Sequence, residues 1–206
     1  MRRAPPKPRR PSGPPGHIRI IGGAWRGRRI AVPDIAGLRP TGDRTRETLF
    51  NWLAAYVAGS NCLDLFAGTG ALGLEALSRG ARGACFVERD ESVAGGLTAT
   101  INRLAAAGAA VHCVDAWTYL RGEPREFDIV FVDPPFDGPK YDELCTLLAR
   151  GWLRPGGWVY LEMNRNHAIP PMPEAWEVHR EKTAGQVRFA LLRSVPLVGA
   201  ATASLT

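Results

Sequence analysis

From residue 61 onward, short apolar runs rich in β-branched residues alternate with longer segments of helical periodicity. Strands are predicted at residues 62–66, 84–87, 110–114, 129–132 and 158–162, and helices at 72–78, 91–107, 117–121 and 141–152. Strands that alternate with helices need right-handed crossovers, which build a parallel, doubly wound sheet with helices on both faces. Two further strands, at 176–180 and 187–192, are predicted to close the sheet as a β-hairpin. The chain is therefore predicted to be an α/β protein with a mostly parallel sheet.

The segments on either side of this region have a different composition. Residues 1–16 consist mostly of Pro, Arg, Gly and Lys, which predicts a disordered basic arm. Residues 17–58 are predicted to form a small hairpin, with strands at 18–21 and 29–32, followed by a helix capped by Thr41 or Asp43. Residues 59–195 then form the main domain, and residues 196–206 a flexible tail.

Charge is distributed unevenly along the chain. The net charge is +6, and residues 1–16 carry five Lys or Arg and no acid. Residues 17–51 carry seven Arg against three acids, whereas the remainder has three more acids than bases. A basic N-terminal quarter beside a mildly acidic body indicates an anionic polymer held by the former and chemistry performed by the latter. Alternatively, the arm is only a solvated extension.

Several classes of protein are disfavoured by the sequence. No apolar stretch is long and uncharged enough to span a bilayer, and no secretory signal follows the basic N-terminus, so a cytoplasmic location is expected. The cysteines Cys62, Cys85, Cys113 and Cys145 are widely spaced, which predicts buried structural thiols. The four histidines lack ligand spacing, and we expect no metal.

The apolar run of residues 129–132 ends abruptly in Asp133-Pro134-Pro135-Phe136. Its continuous β-branched and aromatic residues suit a strand that is covered on both faces. The prolines cannot donate to a sheet, so the strand must end with Asp133 at its carboxyl end, where open α/β sheets bind ligands. Asp-Pro-Pro by itself also occurs as a plain turn.

A glycine-rich loop follows the first strand of the alternating region, and residues 64–73 read D-L-F-A-G-T-G-A-L-G. Such glycines permit a tight turn and the close approach of a ligand to the backbone. The loop alone is compatible with a dinucleotide pyrophosphate site. However, Asp64 would repel a diphosphate and can hold an ammonium group, and the spacing departs from G-x-G-x-x-G.

Two further acids end the next two strands. Glu88 is placed to accept hydrogen bonds from ribose hydroxyls, and Asp115 is placed to accept one from an adenine amine. Together with Asp64, they describe a pocket for an adenosine that carries an amino acid and no phosphate. S-adenosylmethionine fits this description.

Blocks along most of the chain resemble a known family. The most specific are residues 18–23 (I-R-I-I-G-G), 25–28 (W-R-G-R), 38–41 (L-R-P-T) and 46–53 (R-E-T-L-F-N-W-L), with further similarity in residues 64–73, 131–136 and 180–187. The chain resembles the RsmD family of bacterial small-subunit rRNA (guanine-N2)-methyltransferases, which have a class I, Rossmann-like methyltransferase fold. Glu88 is followed here by Arg89 and Asp90, which leaves the apolar wall beside the adenine unassigned.

The resemblance implies a monomeric enzyme that uses S-adenosylmethionine to methylate the exocyclic N2 amine of one guanine of 16S rRNA, position 966 in the conventional numbering, within the small ribosomal subunit. Asp133 and the Pro134 carbonyl would accept hydrogen bonds from the amine, and Phe136 would stack on the flipped-out base. The predicted catalytic residues are Asp133, Pro134, Pro135 and Phe136; the cofactor-binding residues are Asp64, Phe66, Ala67, Gly68, Thr69, Gly70, Glu88, Arg89, Asp115 and Ala116; and the RNA-binding residues are Arg19, Arg26, Arg28, Arg39, Thr41, Arg44, Arg46 and Lys182.

Other interpretations stay open at the level of the sequence. The arginines at positions 39, 44 and 46 can hold phosphate, or they can be ordinary ion-pair partners of Asp43 and Glu47. A D-P-P-F segment also suits a DNA or rRNA adenine-N6 methyltransferase. A non-catalytic RNA-binding assembly factor with a vestigial pocket is the third possibility.

Overall fold

The computed structural model describes residues 16–32, 42–135 and 140–195. The predicted basic arm before Gly16, the tail, Arg39, Thr41 and Phe136 lie outside the described residues. In chain order the elements are β1 (His17–Arg19), β2 (Arg29–Ala31), α1 (Asp43–Trp52), β3 (Asn61–Asp64), α2 (Ala71–Ser78), β4 (Gly83–Glu88), α3 (Glu91–Leu104), β5 (Ala109–Cys113), α4 (Ala116–Leu120), β6 (Phe127–Val132), α5 (Tyr141–Leu148), β7 (Leu153–Asn164), β8 (Trp176–Ala184) and β9 (Val187–Ser194).

The main sheet has seven strands in the order β5-β4-β3-β6-β7-β9-β8. Strands β3 to β7 all pair in parallel, whereas β9 is antiparallel to both of its neighbours. Strands β1 and β2 form a separate antiparallel hairpin, here called the N-terminal hairpin. The predicted mostly parallel, doubly wound sheet with an N-terminal hairpin is therefore confirmed.

Both faces of the sheet are covered, because the central strands contain continuous apolar runs whose side chains point to both sides. Along β6, Ile129 and Phe131 belong to one core cluster and Val130 and Val132 to the other. The first cluster is completed by the N-terminal hairpin, α1, α2 and α3, and the second by α4 and α5. Alternation of side chains along a strand thus divides a continuous apolar run between two layers of helices.

Several helix and strand boundaries differ from the predicted ones, because local contacts determine where these elements begin and end. Helix α3 ends at Leu104 because Ala105 takes a left-handed conformation, with φ of 49°. Helix α5 ends at Leu148, and Trp152 instead donates its indole N–H to the carbonyl of Leu120. Strand β7 is longer than predicted: Leu153 at its start pairs with Phe127 of β6 across a shift in register, and Met163 and Asn164 at its end pair with β9.

The cysteine prediction holds for three of the four residues. Cys62, Cys85 and Cys145 are buried free thiols, and burial raises the pKa of each. Cys113 is exposed, so its assignment as a buried thiol is wrong: β5 is an edge strand and Cys113 lies at its end. Within the described parts of the chain, no group of side chains could hold a metal ion, and no helix is long and apolar enough to cross a membrane.

The turn of the N-terminal hairpin is bound to the end of α2. Gly23 has φ of 75°, and Ala24 donates its N–H to the carbonyl of Ser78 at 2.7 Å. The Ser78 hydroxyl donates to the carbonyl of Gly22 at 2.6 Å and accepts from the N–H of Trp25 at 2.9 Å. A Cβ at Gly23 would lie 1.7 Å from the Ser78 carbonyl oxygen, so this contact requires glycine.

Gly23→Ala is expected to destabilise the protein far more than Gly27→Ala. Both glycines have positive φ, but a Cβ at Gly27 would meet nothing within 4 Å. Gly27→Ala should cost about 1–2 kcal/mol for the left-handed backbone alone. Gly23→Ala should have the same backbone cost and, in addition, about 1–3 kcal/mol of steric strain. Urea unfolding of both variants measures the difference, and equal losses would show that the turn is not held against α2.

Candidate active site

Acidic side chains end four adjacent strands at one edge of the sheet. Glu88 and Asp64 are the last residues of β4 and β3, Asp133 directly follows β6, and Asp115 follows β5. The strand order β5-β4-β3-β6 places them in the spatial order Asp115, Glu88, Asp64, Asp133. Open α/β sheets bind ligands just beyond this carboxyl edge, in the crevice that forms where the strand order reverses.

Asp64 is the most buried of these acids. It is 2% exposed, and one of its oxygens accepts a hydrogen bond from the backbone N–H of Gly73 at 3.0 Å. Burial, together with the nearby charges of Asp133 and Glu88, raises the pKa of Asp64 to about 7, against the lowering effect of that hydrogen bond. A cation beside this carboxylate would stabilise its ionised form, so the site suits an ammonium group.

The glycine loop is fixed against the end of β4. The N–H of Gly68 donates to Glu88 at 2.8 Å, while the other Glu88 oxygen accepts from the N–H of Asp90 at 2.9 Å. Gly70 has φ of 77°, and a Cβ there would lie 2.5 Å from the Leu97 side chain. The loop therefore needs glycine for both its conformation and its packing, and it holds Glu88 in one orientation.

The remaining predicted cofactor residues lie around this loop. Ala67, Thr69 and Ala116 are buried, Arg89 is exposed, and Phe66 packs edge-on against Trp117 with ring centroids 5.9 Å apart. Asp115 is the N-cap of α4, and hydrogen bonds from Thr118 lower the pKa of its carboxyl. Asp115 thus has a structural role in addition to the predicted contact with adenine.

The substrate end of the row contains residues that the sequence analysis did not identify. Asp133 is partly buried, Pro134 is buried and Pro135 is exposed. The buried Tyr160 donates its hydroxyl to Glu162 at 2.5 Å, and Tyr141 donates to the backbone carbonyl of Glu162 at 3.1 Å. Burial raises the pKa of both tyrosines, and the charges of Glu162 and Asp133 add to this.

A sequence signal for Glu162 existed. It closes the strand predicted at residues 158–162, in the same way that Asp64 and Glu88 close theirs. In the structure β7 continues to Asn164, so Glu162 lies two residues before the end of the strand, one strand beyond Asp133.

The predicted RNA-binding residues fall into two groups. Arg19, Arg26 and Arg28 are exposed on the N-terminal hairpin, Arg44 is exposed on α1, and Lys182 is exposed on the edge strand β8. Each of these remains available to a phosphate backbone.

Arg46 is different, and its assignment as an RNA contact is wrong. Its side chain is fully buried, donates to the Arg19 carbonyl at 2.9 Å and to Asp43 at 2.7 Å, and lies 3.6 Å from a Glu75 oxygen. The ion-pair alternative holds for Arg46. The sequence around Arg46 could not show whether its side chain is buried or exposed, because the acidic residues near it in the chain are the same in both cases.

Glu75 connects the N-terminal hairpin to the main domain. Its buried carboxylate accepts from the N–H groups of Ile21 and Gly22, each at 2.8 Å, and from Arg79 at 2.7 Å. With Arg46, donors from the hairpin, α1 and α2 converge on a single side chain. The exposed arginines of the hairpin are therefore held in a fixed position relative to α2 and the glycine loop at its start.

Two clefts lie beside this arrangement. One of about 340 Å³ separates β2 from α3 and adjoins Thr69 of the glycine loop. The other, of about 230 Å³, lies at the opposite edge of the sheet near Asp128, Arg154 and Trp158. The first adjoins the glycine loop, whereas the second is lined by none of its residues.

The main sheet is parallel except for one reversed strand, a glycine loop follows its first strand, and acids lie at successive strand ends. These features define a Rossmann-like methyltransferase of the class that uses S-adenosylmethionine. Residues 18–193 match the family described as conserved hypothetical protein 95. The ribosomal RNA small subunit methyltransferase D of Escherichia coli K12 is 49% identical over 177 residues, which are 85% of this chain and 89% of that protein.

Two further comparisons agree. The protein of the same name from Haemophilus influenzae is 40% identical over 184 residues, covering 87% of this chain and 95% of its own. The solved structure of the Escherichia coli methyltransferase yhhF is 45% identical, with a TM-score of 0.82, and the match covers 87% of this chain and 99% of that one. The chain belongs to the ribosomal RNA small subunit methyltransferase D family, which confirms the resemblance found in the sequence.

The affinity for S-adenosylhomocysteine is expected to rise with pH through the pKa of Asp64. Only the ionised carboxylate attracts the ammonium of the ligand, and the pKa is about 7. Affinity should therefore increase about eightfold between pH 6 and pH 7.5. Titration calorimetry at both pH values measures this. Asp64→Asn should bind weakly and equally at both, and an unchanged pH dependence in that variant would remove Asp64 from the ammonium site.

Arg46→Met and Arg44→Met should separate a structural arginine from a surface one. Loss of Arg46 leaves the buried Glu75 carboxylate with Arg79 as its remaining cation, and should destabilise the protein by about 3 kcal/mol or more. Arg44 is exposed, so its replacement should change stability by less than about 0.5 kcal/mol. Guanidinium unfolding compares the two, and similar stabilities would contradict the buried ion pair.

Proposed function

We propose that this protein transfers a methyl group from S-adenosylmethionine to the exocyclic N2 amine of one guanine in 16S rRNA, at the position numbered 966 by convention. The observation that carries the proposal is the placement of Asp133 and Pro134 at the end of β6, beside the end of β3 that presents Asp64, in a chain of this family. The substrate would be the small ribosomal subunit or a late assembly intermediate, and the enzyme would act as a cytoplasmic monomer.

The residues at the ends of β3, β4 and β5 fit the cofactor. Asp64 is a buried carboxylate with a raised pKa, which suits an ammonium partner. Asp64 would hold the ammonium, Glu88 the ribose hydroxyls, and Asp115 with Ala116 the adenine. When bound, the cofactor supplies an electrophilic methyl group on a sulfonium.

Asp133 would make the amine reactive. The N2 lone pair of guanine is delocalised into the ring, so the free amine is a poor nucleophile. Hydrogen bonds from its two N–H groups to Asp133 and the Pro134 carbonyl draw the nitrogen toward tetrahedral geometry and aim the lone pair. The nitrogen bonds to the methyl carbon as the carbon–sulfur bond breaks, with that electron pair going to sulfur. The methylated nitrogen then loses a proton to Asp133 or to water, so no strong base is needed first.

The hairpin would deliver the RNA. Arg19, Arg26 and Arg28 are exposed on it, and Arg44 is exposed at the start of α1. Arginines hold phosphates bidentately without reading sequence, so they would position the rRNA while the strand-end acids select the base. Because Glu75 fixes the hairpin on α2, this docking surface keeps a constant distance from the site.

The proposal is tested on small subunits from cells that lack this activity. Incubation with the protein and methyl-labelled S-adenosylmethionine, followed by nuclease digestion and mass mapping, should yield one N2-methylguanosine. N6-methyladenosine in its place would contradict the choice of base. Absence of methylation by protein that binds S-adenosylhomocysteine would favour a non-catalytic assembly factor.

Asp133→Ala should abolish transfer and leave the cofactor site intact. Affinity for S-adenosylhomocysteine is expected to stay within about twofold of wild type, while turnover falls by about 10²–10⁴-fold, the range for a lost positioning or proton-accepting group. Calorimetry and the small-subunit assay measure the two quantities. Retained turnover would exclude Asp133 from the reaction.

A further inference from the structure

Glu162 lies next to Asp133 because of the pairing of β6 with β7. The two strands are parallel, and Val132 at the end of β6 pairs with Leu161 within β7, so the residues that follow them, Asp133 and Glu162, lie side by side. Neighbouring strands are about 4.8 Å apart. Phe131 and Tyr160, two residues earlier, belong to the same core cluster, and Asp133 and Glu162 therefore start on that same face.

The Glu162 side chain is buried and held in place. It is 4% exposed, and it accepts a hydrogen bond of 2.5 Å from Tyr160, which stabilises a carboxylate as an anion. Its backbone carbonyl accepts from Tyr141, which fixes the end of β7 against α5. Two phenols thus hold Glu162, Tyr160 through its side chain and Tyr141 through its backbone.

Two carboxylates so close together repel each other, and burial increases the cost. Positive charge that develops beside them is therefore stabilised. Methyl transfer from a sulfonium to a neutral amine creates such a charge, because the positive charge moves from sulfur to the guanine N2. A fixed anion near the developing charge lowers the barrier without having to reorganise during the reaction.

We infer that Glu162, oriented by Tyr160, is a positioning and electrostatic residue of the methyl-transfer site, which stabilises the positive charge that develops on the target guanine. Asp133 contacts the amine, and Glu162 acts from the adjacent strand on the same charge. The inference rests on the proposed function. It assigns to Glu162 of β7 a role on the substrate side of the site.

Glu162→Gln tests this with little change in shape. The amide oxygen can still accept from Tyr160, whereas the negative charge is lost. Turnover number on small subunits should fall about 10–100-fold, the order found when a preorganised group is removed, while KM and the affinity for S-adenosylhomocysteine stay within about twofold. Glu177→Gln, on the exposed side of β8, is the matched control and should behave as wild type.

Tyr160→Phe provides a second, independent variant. It keeps the Glu162 charge and removes its hydrogen-bond donor, so a smaller loss of about 3–10-fold is expected, again in kcat alone. A wild-type kcat in either variant would overturn the inference. A loss of activity that appears as a raised KM or a weaker cofactor affinity, and not in kcat, would also overturn it. Should Glu162→Gln fail to fold, the kcat of Tyr160→Phe decides alone. Absence of turnover by the wild-type protein would overturn the proposed function and the inference with it, whereas normal turnover by both variants would overturn the inference only.

Discussion

The parallel pairing of β3 to β7 is the constraint on which the site depends. Strands that run in one direction end at one edge, so a single acid at each strand end becomes a row in space. In spatial order its members are Asp115, Glu88, Asp64, Asp133 and Glu162. Each would be an ordinary carboxylate alone. Burial, with the charges of Asp133 and Glu88, raises the pKa of Asp64 to about 7. The row as a whole favours cationic ligands on the cofactor side and developing positive charge on the substrate side.

The second constraint is the buried contact between the N-terminal hairpin and the main domain. Glu75 is surrounded by donors from three segments, and Gly23 lets the hairpin turn approach the Ser78 carbonyl directly. Burying a charged pair contributes little net stability, but it specifies one arrangement when alternatives would leave a charge uncompensated. The result is a fixed relation between the exposed hairpin arginines and the glycine loop, both of which are attached to α2. An enzyme that acts on one nucleotide of a large particle needs such a relation, because docking must place the base within reach of the methyl group.

Much of this could be predicted from the sequence, since apolar runs locate strands and an acid after a run locates a strand end. Asp64, Glu88, Asp115 and Asp133 were found in this way. Glu162 carries the same signal, but, unlike Asp64 and Asp133, it is not followed by the glycines or prolines that mark a site. Arg46 could not be placed, because its local sequence gives it acidic neighbours whether it is exposed or buried. Glu75 lies in a helix whose eight residues are all buried, and only the tertiary contact with the hairpin shows why a charge is tolerated there. The shorter α5 likewise reflects the indole contact of Trp152, which no periodicity reveals.

The central claim is that one row of strand-end acids binds the cofactor and prepares the substrate. A crystal structure of the protein with S-adenosylhomocysteine tests it most directly. We expect the ammonium within hydrogen-bonding distance of Asp64, the ribose hydroxyls on Glu88, and the sulfur directed toward Asp133. A ligand seated instead in the cleft between β2 and α3, or beside Asp128 and Arg154 at the opposite edge of the sheet, would contradict it.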